Sequence, residues 1–132
     1  MRALVAGMLG LGLVVAGLVS GSIVRRYVVE GRSMLRAFAP GDRLVVERAS
    51  LRLRKPRIGE VVVVRQDNGS RRLDLKRIAA GPGAEVSVKG AVDFLGKDEW
   101  YVLGDNLDES TDSRELGPVK TADIVGRVWF RY

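Results

Sequence analysis

An uncharged apolar stretch near the start of the sequence limits what this chain can be. Residues 3–24 contain no charged side chain over 22 positions. About 20 apolar residues are enough for a helix to cross the hydrocarbon core of a membrane. A cleaved signal peptide has an apolar region of only about 7–15 residues after a clearly basic start, whereas here only Arg2 precedes the stretch. The sequence therefore predicts a retained transmembrane anchor over residues 1–24, with a cleaved signal peptide as the alternative.

The remaining residues, 25–132, have the pattern of short strands separated by turns. Segments rich in Val, Ile, Leu and aromatic residues alternate with turn formers such as Pro40-Gly41-Asp42 and Gly81-Pro82-Gly83. No segment after residue 24 shows a sustained 3.6-residue apolar period. This pattern predicts one mainly β domain with an antiparallel sheet system, sandwich-like or barrel-like. The predicted strands span residues 43–47, 60–65, 72–78, 85–89, 100–103 and 124–130.

The composition excludes several catalytic designs. The chain has no His and no Cys, which removes Ser-His-Asp and Cys-His catalysis, metal sites built on those residues, and disulfides. Lys and Arg outnumber Asp and Glu by 22 to 16, an excess that suits anionic lipid but is also common in soluble domains. Residues 48–57, here called the basic segment, contain five basic residues and no acid. A solvated connecting loop is its favoured interpretation, and contact with lipid headgroups is the functional one.

A serine hydrolase without His needs another general base. A Lys can serve if burial lowers its pKa toward neutrality, because its neutral amine can then take the hydroxyl proton as Ser attacks a carbonyl. Ser33 in EGRSML and Lys76 in LDLKRIA are candidates for the two roles. Each also has a common structural explanation, since a Ser beside Gly is usually a turn residue and a Lys in a strand usually lies on an exposed face.

A polar segment near the end of the predicted sheet supplies further candidates. Residues 101–114, YVLGDNLDESTDSR, run from a strand-like segment into a loop. Asp105 and Asn106 can satisfy backbone donors in a turn. Asp112 and Arg114 are placed to form a charge-assisted pair that fixes the loop. An Asx-rich hairpin is the alternative interpretation of any part of this segment.

Taken in chain order, these motifs resemble those of bacterial type I signal peptidases, the membrane-anchored Ser/Lys endopeptidases. The resemblance covers nearly all of residues 25–132 and includes several separate blocks in the family's order. The blocks are Gly31-Arg32-Ser33-Met34, Pro40-Gly41-Asp42-Arg43-Leu44-Val45-Val46, Lys76-Arg77-Ile78 with Gly81-Pro82-Gly83, Gly104-Asp105-Asn106 through Ser110, Asp112, Ser113 and Arg114, and then Gly117-Pro118 with Ile124-Val125-Gly126.

The resemblance implies a role for each matching residue. Ser33 would be the nucleophile and Lys76 the general base, and Ser110 would orient the lysine amine by a hydrogen bond. The backbone N–H of Ser33 would supply part of the oxyanion hole. The family needs no cofactor or metal. The residues expected to shape the site are Asp105, Asp112 and Arg114, and Met34 is expected to line the substrate cleft.

The sequence departs from the family pattern in three places. Many members have a Ser two residues before the nucleophile, whose hydroxyl lies in the oxyanion hole, and Gly31 stands there. Residues 35–38, Leu-Arg-Ala-Phe, replace the usual Pro-Thr-Leu run after one intervening residue. Only a short stretch separates the Lys76 block from the Gly104 block, where larger members insert an extra β domain. The chain therefore resembles a minimal form of the family.

The implied function is removal of N-terminal signal peptides from exported preproteins. A specialised maturation peptidase of the same family, of the nickel superoxide dismutase type, remains an alternative. SOS-response repressor autoproteases share the Ser/Lys dyad but lack the Gly-Asp-Asn block and the membrane helix. Outside the proteases, the alternative is a non-catalytic anchored β domain that binds a partner or an anionic surface.

The resemblance also implies partners and a location. The expected partners are preprotein signal peptides, the lipid bilayer and the secretion machinery, with no nucleic acid. The expected location is the cell membrane, with a single pass and the catalytic domain outside the cytoplasm. The positive-inside rule favours the opposite orientation, because four arginines follow the apolar stretch and only one precedes it. Those four are Arg25, Arg26, Arg32 and Arg36.

Overall fold

A seven-stranded antiparallel sheet forms the body of the fold. The computed structural model describes residues 24–66 and 72–132. Its strands are β1 (Val24–Val28), β2 (Arg43–Glu47), β3 (Val61–Arg65), β4 (Leu73–Ala80), β5 (Glu85–Val88), β6 (Ala91–Phe94), β7 (Glu99–Leu103), β8 (Val119–Lys120) and β9 (Ile124–Arg131). The helices are α1 (Ala49–Leu53) and α2 (Ser113–Leu116), with 3₁₀ turns at Leu107–Glu109 and Thr121–Asp123.

The strand order in the large sheet is β1-β2-β9-β3-β4-β7-β8, and β5 and β6 form a separate two-stranded hairpin. Neighbouring strands pair antiparallel throughout the described residues. β9 comes last in sequence among the described strands yet lies inside the sheet, between β2 and β3. The predicted mainly β, antiparallel fold is therefore confirmed.

Two apolar cores lie on opposite faces of the sheet, as the alternation of β3 requires. Val62 and Val64 pack in one core, and Val63 between them packs in the other. Burying a Val or Leu side chain contributes roughly 1.5–3 kcal/mol, so these cores supply much of the stability. The first core also contains Ile78, Trp100, Val102, Val119 and Ile124, and the second contains Val29, Met34, Leu44, Val46 and Leu75.

The predicted membrane anchor falls almost entirely outside the described residues. Of residues 1–24, only Val24 is described, and it is the first residue of β1. None of the helices in residues 24–66 and 72–132 is long and apolar enough to cross a membrane. The anchor over residues 1–24 therefore stays a prediction.

The basic segment contains α1 and is tied to the sheet by a buried arginine. Arg127 on β9 is 4% exposed and donates to Ser50 Oγ and to the carbonyl oxygens of Arg54 (3.0 Å) and Lys55 (2.8 Å). It also forms an ion pair with Glu60. These contacts fix the backbone of a segment whose own side chains are mostly exposed.

Candidate active site

Ser33 lies in the turn between β1 and β2, at residues 31–37, here called the Ser33 turn. Gly31 begins the turn with a φ of +72°, a left-handed conformation that favours glycine. The turn is closed by backbone hydrogen bonds from Leu35 N to Arg32 O (3.2 Å) and from Phe38 N to Met34 O (2.8 Å). Met34 is only 1% exposed and packs in the second core. The core therefore fixes the turn directly after Ser33.

The Ser33 turn is also tied to the loop that follows β7. Asn106 donates its backbone N–H to the Ser33 carbonyl oxygen (2.8 Å) and its side-chain amide to the Arg32 carbonyl oxygen (3.0 Å). Arg32 forms an exposed ion pair with Glu109 (3.0 Å). Gly104 passes so close that an added Cβ would lie 2.7 Å from the Ser33 carbonyl oxygen. A side chain at position 104 is therefore incompatible with this contact.

Lys76 reaches the same region from β4. It pairs with Val62 of β3, and the side chain of Lys76 is buried, with 3% of the residue exposed. Its Nζ donates a hydrogen bond to Ser110 Oγ at 3.0 Å. The strand thus delivers an amine to the inside of the fold, where it meets a hydroxyl from the loop after β7.

A chain of hydrogen bonds runs on from Ser110. Its hydroxyl donates to Asp112 Oδ2 at 2.7 Å, and the backbone N–H of Gly104 donates to the same oxygen at 3.0 Å. Arg114 donates to Asp112 through Nε (2.9 Å) and Nη2 (3.1 Å). Asp112 is fully buried. The charge-assisted pair predicted between Asp112 and Arg114 is therefore confirmed. It fixes the carboxylate that accepts the hydrogen bond from the Ser110 hydroxyl.

Burial lowers the pKa of Lys76 below its ordinary value of 10.5. Removing an ammonium from water disfavours the charged form, and this effect is larger than the opposing attraction of Asp74 and Asp112. The amine is consequently easier to deprotonate than a lysine in solvent. A neutral amine is the form that can accept a proton.

The opposite balance holds at Asp112. Burial alone would raise the pKa of this carboxyl, but hydrogen bonds from Arg114, the Gly104 amide and Ser110 outweigh it and hold the pKa below the ordinary value. Asp112 is therefore a carboxylate near neutral pH. As an acceptor it directs the Ser110 hydrogen toward itself, which leaves the Ser110 oxygen lone pairs available to the lysine amine.

Ser33 and Lys76 line one cavity of about 180 Å³. The cavity lies between the Ser33 turn and the first half of β4, whose pairing with β7 begins only at Arg77. The remaining lining residues are mostly polar or charged: Glu30, Gly31, Arg32, Arg72, Asp74, Glu109 and Thr111. The structure thus brings Ser33 and the buried Lys76 to the lining of one cavity, although they are far apart in sequence.

Two other predicted residues support the Ser33 turn and the loop after β7 without lining this cavity. Asp105 forms a two-point ion pair with Arg77, with both distances 2.8 Å, and so connects the loop after β7 to β4. Met34 lies in the core with its sulfur 3.4 Å from the Asp105 backbone nitrogen. Its direct contact with substrate stays a prediction, whereas its packing under the Ser33 turn is observed.

Three residues of the site make contacts that the sequence did not identify, although Asn106 and Ser113 stand in the motifs and Asn106 was expected to satisfy backbone donors. The contact of Asn106 with the Ser33 turn and the ion pair of Glu109 join segments more than 70 residues apart. Ser113, fully buried, accepts a hydrogen bond from the Val102 backbone N–H at 2.9 Å. Only the density of polar residues in 104–114 signalled such contacts, and it did not identify their partners.

Comparison with known proteins agrees with this geometry. The sequence matches the family model described as "Signal peptidase, peptidase S26" over residues 2–95 and 89–132. The probable signal peptidase I-2 of Synechocystis sp. is 32% identical over an alignment that covers 83% of this chain and 65% of that protein. The mitochondrial ATP-independent inner membrane protease subunit 1b of Arabidopsis thaliana is 34% identical, covering 76% of this chain and 65% of that protein.

A third relative is the probable thylakoidal processing peptidase 2 of Arabidopsis thaliana, 30% identical over 79% of this chain and 36% of that protein. The alignments thus cover just under two thirds of the first two relatives and about a third of the third. The family match includes the segments that carry both Ser33 and Lys76. The chain belongs to the type I signal peptidase family, peptidase S26.

Proposed function

We propose that this protein is a membrane-anchored serine endopeptidase that removes N-terminal signal peptides from exported preproteins, with Ser33 as nucleophile and Lys76 as general base. The observation that carries the proposal is the shared cavity, which Ser33 lines beside a buried Lys76 of lowered pKa. Membership of the signal peptidase family supports the same reaction.

The proposed reaction begins with neutral Lys76. Its amine takes the Ser33 hydroxyl proton as Oγ attacks the scissile carbonyl carbon, so that a tetrahedral oxyanion forms. The ammonium then gives the proton to the leaving amine, the C–N bond breaks, and the signal peptide remains as an ester on Ser33. A water molecule, deprotonated by Lys76, hydrolyses the ester and restores both groups.

Ser110 and Asp112 act in this scheme as positioning residues. The hydrogen bond from Lys76 Nζ to Ser110 Oγ uses one amine hydrogen and restricts rotation of the side chain. Because Ser110 itself donates to Asp112, its oxygen can only accept from the amine. The amine lone pair is thereby left for the Ser33 proton.

The oxyanion would be stabilised by backbone donors. The N–H of Ser33 is one such donor, and preorganised N–H groups stabilise developing negative charge strongly in a partly desolvated site. Gly31 offers no hydroxyl. The left-handed φ of Gly31 would strain a serine at the same position, so the local backbone suits the glycine that stands there.

The free edge of β4 suits an extended peptide substrate. Among the described residues, β4 pairs with β7 only from Arg77 onward, which leaves the edge of residues 73–76 beside the cavity without a strand partner. An extended peptide can add to such an edge by main-chain hydrogen bonds, and its alternate side chains then point the same way. The residues at −1 and −3 before the cleaved bond would therefore face the protein together.

The membrane setting rests on the sequence and on the relatives. Residues 3–24 are uncharged and long enough to span a bilayer. The two relatives from Arabidopsis thaliana are named for an inner membrane and a thylakoid. We place the catalytic domain outside the cytoplasm, where exported preproteins emerge.

The decisive experiment is incubation of the purified full chain with a preprotein that has Ala at −1 and −3. Intact-mass analysis should show cleavage directly after −1. Ser33→Ala and Lys76→Met should each abolish cleavage while remaining folded, because neither substitution adds volume to a core. Ser87→Ala and Lys120→Met are matched controls at exposed positions and should cleave normally. Near-normal turnover in either folded dyad variant would rule out the Ser/Lys assignment, and an inactive parent chain would favour a binding domain.

A further inference from the structure

The proposed reaction uses none of the basic segment, yet this surface has an unusual composition. Leu53, at the end of α1, is 88% exposed, and Ile58, directly after the segment, is 71% exposed. Between and beside them stand Arg52, Lys55 and Arg57, all exposed. Large apolar side chains presented among cations are characteristic of surfaces that meet a membrane interface.

The cations of this surface are directed outward rather than used within the fold. In residues 24–66 and 72–132, Arg52, Lys55 and Arg57 form no ion pair, whereas Arg54 pairs with Glu60. The acidic groups nearby are already engaged. Glu47 accepts hydrogen bonds from Ser50, and Glu60 pairs with arginines. The surface therefore presents positive charge to whatever approaches it.

The surface is held rigidly, which lowers the entropic cost of binding. Arg127 donates to the carbonyl oxygens of Arg54 and Lys55 and to the Ser50 hydroxyl. Arg54 N also closes the end of α1 on Ser50 O at 2.9 Å. The exposed Leu53 is thus carried by a fixed turn and not by a mobile loop end.

The surface lies close to Val24, the first residue of the chain that the structure describes, and this position points to one partner. A depression of about 580 Å³ is lined by Arg57 and Ile58 together with Glu47 and Trp129. Glu47 is the antiparallel partner of Val24, the first described residue of the chain. Paired strands lie about 4.8 Å apart. The depression is therefore adjacent to the point where the apolar segment 3–24 joins the fold.

We propose that the basic segment and Ile58 form a docking surface for an anionic phospholipid bilayer. Arg52, Lys55 and Arg57 contact lipid phosphates, while Leu53 and Ile58 enter the boundary between headgroups and acyl chains. This inference rests on the proposed membrane anchor for its location, and not on the peptidase reaction. Docking at a second point would limit rotation of the domain about its anchor and so hold the Ser33 turn at a fixed height over the membrane.

The absence of Cys makes a direct test practical, because a single introduced Cys carries a label at one known site. Leu53→Cys in the full chain is labelled with a fluorophore and reconstituted in vesicles that contain lipid-attached quenchers. Val92→Cys, on the separate β5–β6 hairpin and 66% exposed, is the matched control. Vesicles of phosphatidylcholine alone are compared with vesicles containing about 30 mol % phosphatidylglycerol, where basic residues gain surface attraction.

The label at position 53 should be quenched in the phosphatidylglycerol vesicles and far less in phosphatidylcholine alone, and the label at position 92 in neither. The equilibrium constant for docking on phosphatidylglycerol vesicles should fall about fivefold for each single substitution of a basic residue: Arg52→Gln, Lys55→Gln or Arg57→Gln. The proposal would be overturned if the lipid-attached quenchers quenched the labels at positions 53 and 92 equally, or if quenching at position 53 did not depend on lipid charge. It would also be overturned by a response of the position-53 label to single-stranded RNA that exceeds its response to anionic vesicles.

Vesicle flotation separates this inference from the proposed function. A chain that floats with phosphatidylcholine vesicles but shows no quenching at position 53 retains an anchor and lacks the docking surface. Flotation only with anionic vesicles, together with quenching, would support docking and contradict the anchor, and no flotation with either would overturn both. Cleavage of the preprotein in detergent reports the peptidase reaction independently of these outcomes.

Discussion

Lys76 is held between two opposing influences, and their balance sets its proton affinity. Burial disfavours the ammonium, while the carboxylates of Asp74 and Asp112 favour it. Because burial has the larger effect, the pKa lies below the ordinary value. The same balance makes the folded protein bind fewer protons than the unfolded chain between the lowered pKa and 10.5. In that window stability rises with pH.

Cleavage should therefore rise with pH through the lowered pKa of Lys76 and then level off. Asp74→Asn removes a charge that raises this pKa, so the rising limb should move to lower pH. The rising part of the pH–rate profile is measured by single-turnover cleavage of a preprotein across a pH series. Asp108→Asn, at an exposed position, is the control and should leave it in place. A limb that moves upward in Asp74→Asn would contradict the assignment of Lys76 as base.

Gly104 is the residue whose lack of a side chain matters most to the site. A Cβ there would lie 2.5 Å from Ser110 Cβ and 2.7 Å from the Ser33 carbonyl oxygen. Gly104→Ala must therefore displace either the Ser33 turn or the Ser110 hydroxyl. Since a misplacement of about 1 Å can cost about 100-fold in rate, we expect a loss of kcat/KM of at least that size.

The matched control for this substitution is Gly96→Ala. There the nearest atoms belong to the flexible Glu99 carboxylate, which can move aside. Steady-state kinetics of both variants, with thermal unfolding to confirm that they fold, measure the difference. Normal kinetics in folded Gly104→Ala would show that the close approach is dispensable.

Among the larger elements, the connection from β2 to β3 depends on β9 for its conformation. Arg127 on β9 and Glu60, directly before β3, form an ion pair largely shielded from water, with side chains 5% and 19% exposed. Breaking a buried pair leaves an uncompensated charge and costs about 3–5 kcal/mol. A loss at the lower end is expected here, because Glu60 keeps its second partner, Arg54.

Arg127→Met should accordingly lower the unfolding midpoint strongly and expose the basic segment to proteases. Arg131→Met is the comparison, since its ion pair with Asp42 is half-exposed and such pairs contribute about 0–1 kcal/mol. Urea unfolding and limited proteolysis with mapped cleavage sites measure both variants. Equal stability of the two would show that the arginine network carries little of the fold.

The open edge of β4 leads to a prediction about specificity. If the substrate adds to residues 73–76 as a strand, the side chains at −1 and −3 share one direction and −2 faces away. We expect small residues at −1 and −3, with rates at least tenfold lower for Phe or Leu at −1, and tolerance at −2. A substrate library varied at these three positions measures this. Phe38, half-buried beside the second core, is the residue whose truncation should change the preference if it shapes the cleft.

Over the whole molecule, the strands that the sequence predicted are those in which apolar residues alternate with polar ones or follow one another in a run. The strand over 43–47 has the observed bounds of β2, and the other five agree within two residues at either end. β1 was missed because Arg25 and Arg26 interrupt its apolar pattern, and both side chains are exposed. β6 was missed because every residue in it is exposed, so burial left no pattern in the sequence.

The site was predictable as a set of residues and in two of its contacts, but not as a whole network. The family resemblance implied the hydrogen bond between Lys76 and Ser110, and the sequence predicted the pair of Asp112 with Arg114. Nothing local shows, however, that Lys76 is buried. Arg127 was not selected, because one arginine in a strand does not reveal that its guanidinium is enclosed. Such contacts depend on the long-range pairing of strands, which a single sequence specifies only collectively.

The position of β9 has a consequence for how the molecule is made. Ser33 lies in the turn between β1 and β2, and Lys76 lies on β4, which pairs with β3. β9 joins these two strand pairs as the strand between β2 and β3. Synthesis proceeds from the amino terminus, so the joining strand leaves the ribosome after both halves of the site. The early chain can form two hairpins, but it cannot hold the serine against the lysine. Under the proposed Ser/Lys mechanism, proteolytic capacity should therefore arise only after β9 has been synthesised and has paired with both hairpins, so that shorter nascent chains are inactive.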